Sequence, residues 1–182
     1  MEDMKIFAVY ANPLLIEKPK WFDEFYRSYG GGYDLHITLK QSCFVDEKDK
    51  RDIQNKLANF FTLLRIPNHS IDVTFDTIII PNEGCIMVNA RENSILNQLQ
   101  KNITLTLKDY SHYTAPELES YEKNFIPHIT IAQDVRLVKE NLDMIGSDYF
   151  FKAEIRTITC IVVREQSLEE AQNKNNKTLY RL

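Results

Sequence analysis

Two six-residue segments of this chain share one pattern, His36-Ile37-Thr38-Leu39-Lys40-Gln41 and His128-Ile129-Thr130-Ile131-Ala132-Gln133. Each reads His, Ile, Thr, aliphatic, any, Gln, and the two lie 92 positions apart, one in each half of the 182 residues. In a strand alternate side chains share a face, so each His would project with its Thr while the Ile between them points the other way. Facing strands of this kind would gather two imidazoles and two hydroxyls in one cleft. That set suits a phosphodiester. One group must take a proton from the attacking oxygen and another must give one to the leaving oxygen, and two histidines near their ordinary pKa hold those opposite states at neutral pH. Threonine hydroxyls can donate to the non-bridging oxygens without adding a positive charge that would disturb the histidines. No metal and no cofactor is needed.

A single His-x-Thr is an ordinary strand with a polar face. Two copies are different, because they take half of the four histidines into matching places and no packing argument requires that. The other two have weaker claims: His69 follows Pro67-Asn68 and reads as a turn residue, and His112 sits in a polar loop beside Tyr110 and Tyr113. Neither His-x-x-x-His nor His-x-His occurs, so zinc binding is not expected.

The elements that must position the motifs are legible from periodicity. Strands are expected over residues 6–10 (stopped by Asn12-Pro13), 35–41, 71–80, 85–90, 126–133, 149–164 and 178–182. The third and fourth form a hairpin through Pro81-Asn82-Glu83-Gly84. Helices are expected over residues 19–29, closed by Gly30-Gly31-Gly32, and over 50–64, 94–107 and 135–145. Residues 111–124 read as a polar loop, and a polar linker containing Asn173-Lys174-Asn175-Asn176 precedes the last strand. The halves run in the same order: a strand bearing His-Ile-Thr, a helix, then a pair of strands. That is duplication at the level of elements and implies two similar lobes.

A chain of this length with 43% hydrophobic residues suits a single domain, residues 1–182, built of two interleaved lobes. The net charge of −4 leaves no overall basic field for gripping long nucleic acid, so a nucleic-acid ligand would be small or held by one end. Cys43, Cys85 and Cys160 are odd in number and form no CxxC, as in reduced thiols of a cytoplasmic protein. The start, Met1-Glu2-Asp3-Met4-Lys5, is unlike a signal peptide, and no apolar run approaches the roughly 18 residues of a membrane span. A cytoplasmic monomer is the expectation.

At these motifs the chain resembles the two-histidine (2H) phosphoesterase superfamily, which includes 2′-5′ RNA ligase-like proteins and cyclic nucleotide phosphodiesterases. Asp34-Leu35-His36-Ile37-Thr38-Leu39-Lys40 looks like the first family motif with its approach, and Phe125-Ile126-Pro127-His128-Ile129-Thr130-Ile131-Ala132 like the second, with the Phe-x-Pro that commonly precedes it. The resemblance implies an α+β, two-lobed 2′-5′ RNA ligase-like fold: pseudo-two-fold duplicated lobes of antiparallel sheet, helices outside and a cleft between. It implies His36 and His128 as the acid–base pair and Thr38 and Thr130 as phosphate holders. The substrate would be a nucleotide, a cyclic nucleotide or a short RNA end with a 2′,3′-cyclic or 2′-5′ linkage, a cyclic oligonucleotide included. The rival is a non-catalytic module that binds such a ligand. Gln133 stands where many members carry Arg or Lys, which makes Lys40 the candidate cation. Tyr10, Tyr33 and Phe125 are the candidates for stacking on a base.

Overall fold

Burial alternates residue by residue along β1 (Met4–Glu17), with Phe7, Val9 and Ala11 fully buried and Ala8, Tyr10 and Asn12 on the opposite face. This is the first strand of a computed structural model that describes residues 4–182; the acidic residues 1–3 lie outside it. There follow α1 (Phe22–Tyr29), β2 (Ile37–Asp46), α2 (Lys50–Leu63), the hairpin of β3 (Ile71–Ile79) and β4 (Ile86–Ala90), and α3 (Ser94–Thr106). Then come β5 (His112–Tyr113), α4 (Glu117–Lys123), β6 (His128–Ala132), α5 (Val135–Val138), β7 (Phe151–Val163), α6 (Leu168–Gln172) and β8 (Lys177–Arg181).

All eight strands join one antiparallel sheet in the order β5-β2-β1-β7-β3-β4-β6, with β8 also on β7. Its centre is palindromic. Two units of β-α-β-α-β, β1-α1-β2-α2-β3 and β4-α3-β6-α5-β7, map onto each other when β1 is matched to β4, β2 to β6 and β3 to β7. Under that exchange the pairing β1–β2 becomes β4–β6, β1–β7 becomes β4–β3, and β3–β7 maps onto itself. Each unit therefore lends its last strand to the half that carries the other unit's motif. The sheet curls, because β2 and β6, far apart along the ladder, come back within contact of each other.

The core fills the side of the sheet away from the motif residues. Ile53 and Leu57 of α2 and Leu96, Leu99 and Ile103 of α3 are buried in one cluster with Phe7, Val9, Ile37 and Leu39. Phe22 and Phe25 of α1 pack edge-on to Trp21, and Phe22 and Trp21 both pack edge-on to Phe151. Each such fully buried apolar side chain contributes about 1.5–3 kcal/mol against an exposed one.

Several elements run past their expected limits. β1 continues through Pro13 because its pairing with β2 ends at Ala11 and its ladder with β7 shifts register at Asn12/Pro13, so the missing N–H falls at a bulge. The expected loop 111–124 contains β5 and α4, and the expected linker contains α6. These pieces are too short for a periodic signal. The expected helix 135–145 is one α-turn followed by a 3-10 stretch, Lys139–Met144. Among the described residues no helix is long and apolar enough to cross a membrane.

Candidate active site

His36 stands one residue ahead of β2, and His128 is the first residue of β6. Nδ1 of each ring lies 2.8 Å from the carbonyl oxygen two residues earlier, that of Asp34 for His36 and of Ile126 for His128. A carbonyl only accepts, so Nδ1–H donates in both rings and Nε2 is the nitrogen left for chemistry. Two strands from different halves thus hold their imidazoles in the same tautomer by the same local bond.

Burial lowers the pKa of His36 below its ordinary 6.5, and positive charge at His128 and Lys177 lowers it further, against the opposing pull of the Asp34 carbonyl and carboxylate. The strands of the two motifs, β2 and β6, come within contact of each other. Tyr10, whose ring centroid lies 5.0 Å from that of His36, is pushed up to about 12 by burial, with the Asp34 carboxylate adding to it, and stays a neutral phenol. Thr38 is the ladder partner of Tyr10, and Thr130 that of Met87.

Strict alternation breaks just past each threonine. Phe7 pairs with Cys43 and Tyr10 with Thr38, so β2 spends five steps where β1 spends three. Leu39 and Lys40 both turn into the core, and Gln41 and Ser42 both line the cleft. On β6 a single shift, between Ile86↔Ala132 and Met87↔Thr130, does the like: Ile131 and Ala132 are both buried and Gln133 lines the cleft. The shared Gln of the repeated pattern is thereby returned to the cleft in both strands. Gln133 is also pinned, its N–H donating to Tyr29 O at 3.0 Å and its Nε2 to Gly30 O at 3.4 Å.

An open cavity of about 390 Å³ lies beside His36. Tyr10, Tyr33, Asp34, His36, Thr38 and Gln133 line it, with Lys177 reaching in from β8 to hold Asp34 at 2.9 Å.

A family model described as the 2′-5′ RNA ligase superfamily matches residues 12–166. The chain belongs to that superfamily. A search of curated proteins gave no match. Among solved structures, Escherichia coli LigT complexed with 3′-AMP is 12% identical with a TM-score of 0.55, over 99% of this chain and 96% of LigT. Kluyveromyces marxianus Usb1 with uridine monophosphate is 9% identical with a TM-score of 0.52, over 98% of each chain. TT0787 of Thermus thermophilus is 13% identical with a TM-score of 0.51, over 97% of this chain and 94% of that one. At these identities the likeness is one of fold, and it covers the α+β two-lobed architecture expected from the motifs.

One expected contact is not made here. Lys40 is fully buried and paired with Glu122, because the β2 bulge turns it inward, so it cannot grip a ligand phosphate. Phe125, a stacking candidate, is partly buried and packs against the core. His69 bonds the carbonyl of Leu182, and His112 lies on β5, so neither adds to the site. Four residues at or beside the cleft went unread in the sequence. Gln41 and Ser42 were hidden by the bulge and Lys177 by its distance along the chain. Asn12 lies one step beyond the Ala11↔Ile37 pair, opposite His36, as Asn89 is paired with His128. The Asn12 amide donates to Thr159 Oγ1 at 2.8 Å and to Thr157 at 3.2 Å, tying the His36 neighbourhood to β7.

Proposed function

We propose that this protein is a metal-independent phosphodiesterase acting on a nucleotide or RNA end with a 2′,3′-cyclic or 2′-5′ linkage. The observation that carries the reading is the matched pair of histidines, each held through Nδ1 by the carbonyl two residues back and each keeping Nε2 free.

For a 2′,3′-cyclic phosphate the steps follow from those atoms. His36, whose pKa is lowered, is neutral at pH 7, and its Nε2 takes a proton from the attacking water. The water oxygen bonds to phosphorus, the bond from phosphorus to one ribose oxygen breaks, and His128 Nε2–H delivers a proton to that oxygen. The product is a phosphomonoester, and solvent exchange resets the two rings. Thr38 and Thr130 donate to the non-bridging oxygens, where negative charge accumulates. The nucleotides complexed with two structural relatives, 3′-AMP with LigT and uridine monophosphate with Usb1, support a nucleotide as the kind of ligand.

The test is turnover of 2′,3′-cyclic nucleotides, 2′-5′ oligoadenylates and cyclic dinucleotides in EDTA, with wild type beside His36→Ala and His128→Ala. EDTA-resistant cleavage lost in both variants is the expected result. Folded wild type that cleaves nothing on the panel, or cleavage that EDTA abolishes, would end this reading.

A further inference from the structure

The two-fold of the sheet extends beyond the histidines and threonines. Tyr10↔Thr38 and Ala11↔Ile37 on one side match Met87↔Thr130 and Val88↔Ile129 on the other, which makes Asn12, opposite His36, the equivalent of Asn89, opposite His128. The match continues into the next strand: Asn12 pairs with Thr157 of β7, and Asn89 with Thr77 of β3. Past each asparagine the partner strand bulges by one residue. The ladder steps from Thr157 to Ile155 opposite Asn12 and Pro13, skipping Arg156, and from Thr77 to Phe75 opposite Asn89 and Ala90, skipping Asp76. Each skipped residue is held in an ion pair, Arg156 with Glu154 at 2.8 Å and Asp76 with Arg91. The order His, Asn, Thr, with a bulge beside it, thus runs from the start of β2 across β1 and β7, and again from the start of β6 across β4 and β3. No stretch of sequence shows it, and bulges of this kind re-aim side chains next to active sites.

Both asparagines share a face with the motif residues, since Asn12 alternates with buried Ala11 and Asn89 with buried Val88. A bond from the Ala90 N–H to Pro127 O, 2.8 Å, flanks the Asn89–His128 pair. That marks a pair without hydrogen bonds of its own, the kind in which facing Cα atoms are only about 4.5 Å apart and the side chains stand closest. The two amides are spent differently. Asn12 Nδ2 lies 2.8 Å from Thr159 Oγ1 and 3.2 Å from both the carbonyl and the hydroxyl oxygen of Thr157. A carbonyl only accepts, so the nitrogen faces β7 and the acceptor Oδ1 is the atom left over. Asn89 makes no side-chain hydrogen bond among the described residues, so its Nδ2–H donors remain. Neither amide is sealed in: among the described residues, the one buried side-chain nitrogen or oxygen without a partner is Asn97 Oδ1.

We infer that Asn12 and Asn89 are catalytic partners of the two histidines, Asn12 Oδ1 holding the attacking water for His36 and an Asn89 Nδ2–H holding the departing ribose oxygen for His128. The water gives one proton to His36 Nε2 and keeps the other, which Asn12 Oδ1 accepts as a hydrogen bond and which ends on the new phosphomonoester. The departing oxygen takes its proton from His128 and only a hydrogen bond from Asn89. An acceptor stands on the side of the base and a donor on the side of the acid, as the two tasks require. This rests on the phosphodiesterase reading, with His36 as base and His128 as acid.

The experiment is steady-state kinetics across pH, in EDTA, on whichever 2′,3′-cyclic nucleotide wild type turns over fastest, with thermal denaturation of each protein. Wild type, His36→Ala, Asn12→Ala, Asn12→Asp and Asn89→Ala are compared. Asn12→Ala and Asn89→Ala should each lower kcat by about 10- to 100-fold and change KM by less than about threefold. Asn89→Ala gives up no bond within the protein, so its melting temperature should match that of wild type. Asn12→Asp sets a carboxylate opposite His36, which favours the charged ring, so the acid-limb midpoint of kcat/KM should move up; a merely structural tie between β1 and β7 would leave it in place. Unchanged kcat in Asn89→Ala, an unmoved midpoint in Asn12→Asp, or kcat losses that merely follow the melting temperatures overturn the inference, and activity lost in His36→Ala would then leave the phosphodiesterase reading standing. Folded wild type that turns over no cyclic nucleotide ends both.

Discussion

Lys40 and Glu122 form an ion pair, Nζ to Oε1 at 2.8 Å, whose side chains are 0% and 2% exposed. It joins the strand of the first motif to the helix that leads into the second. Glu122 also accepts from Tyr113 Oη–H at 2.8 Å and from the Gln41 N–H at 3.0 Å, so its carboxylate holds the β2 bulge in place. Glu122→Gln leaves the ammonium buried without its counter-charge, a loss of about 3–5 kcal/mol by mutation of one partner of such pairs. Lys40→Met with Glu122→Leu removes both charges and should recover most of that. Urea denaturation of the single and double variants checks it; a double variant as unstable as Glu122→Gln would show that lost packing, not a stranded charge, is responsible.

Much of this architecture could be read before any coordinates, and the misses share one cause. The apolar periods of α2 and α3 and the Pro81-to-Gly84 hairpin locate their elements because each spans enough residues for a period to show. The doubled His-Ile-Thr pattern locates both histidines, since parity within three residues survives. Two positions further on it does not. A strand with extra residues opposite its partner loses its alternation, and nothing in Leu39-Lys40-Gln41-Ser42 announces the bulge. Lys40 therefore reads as the candidate cation and Gln41 only as part of the shared pattern, whereas the structure buries Lys40 and turns Gln41 to the cleft. β8 and α6, which bring Lys177 and Gln172 to the cleft, are short segments whose role depends on where β7 places them.

The two histidines should behave as one device. His36→Ala and His128→Ala are each expected to lower kcat by about 10²–10⁴-fold, the usual weight of a positioned acid or base. The double variant should fall little below the poorer single one, because a proton taken without one delivered gains nothing. Steady-state kinetics on one 2′,3′-cyclic nucleotide decides it: multiplying effects would mean that the rings act in separate steps.

The acid limb of kcat/KM should report His36. As the base it must be unprotonated, so the rate rises with pH through its pKa in the free enzyme. Burial, His128 and Lys177 lower that pKa, and the midpoint accordingly lies below 6.5. Lys177→Met removes a charge that lowers it and frees the Asp34 carboxylate, which raises it, so the midpoint moves up. Asp34→Asn removes the raising carboxylate and releases Lys177, so the midpoint moves down. Shifts of opposite sign from the two halves of one ion pair cannot come from general damage to the fold. Shifts of the same sign, or none, would remove His36 from the role of base.

Gly31 and Gly84 separate backbone strain from contact. Both have positive φ, 72° and 89°, where a side chain costs on the order of 1 kcal/mol. A Cβ on Gly84 would meet nothing within 4 Å, whereas one on Gly31 would stand 2.5 Å from Cγ of Gln133. Gln133 ties the end of β6 to the last turn of α1, and Gly31 opens the segment that carries Asp34 and His36, so this contact sits where the two motif strands are registered. Gly84→Ala should lower stability by about 1 kcal/mol and leave kcat/KM unchanged. Gly31→Ala should cost more and also lower kcat/KM, since the crowded Gln133 or the His36 approach has to move. Adding Gln133→Ala to Gly31→Ala takes away the obstructing Cγ and should restore part of the lost stability. Thermal denaturation of the three variants with parallel kinetics gives the answer, and no recovery in the double variant would place the cost of Gly31→Ala in the backbone alone.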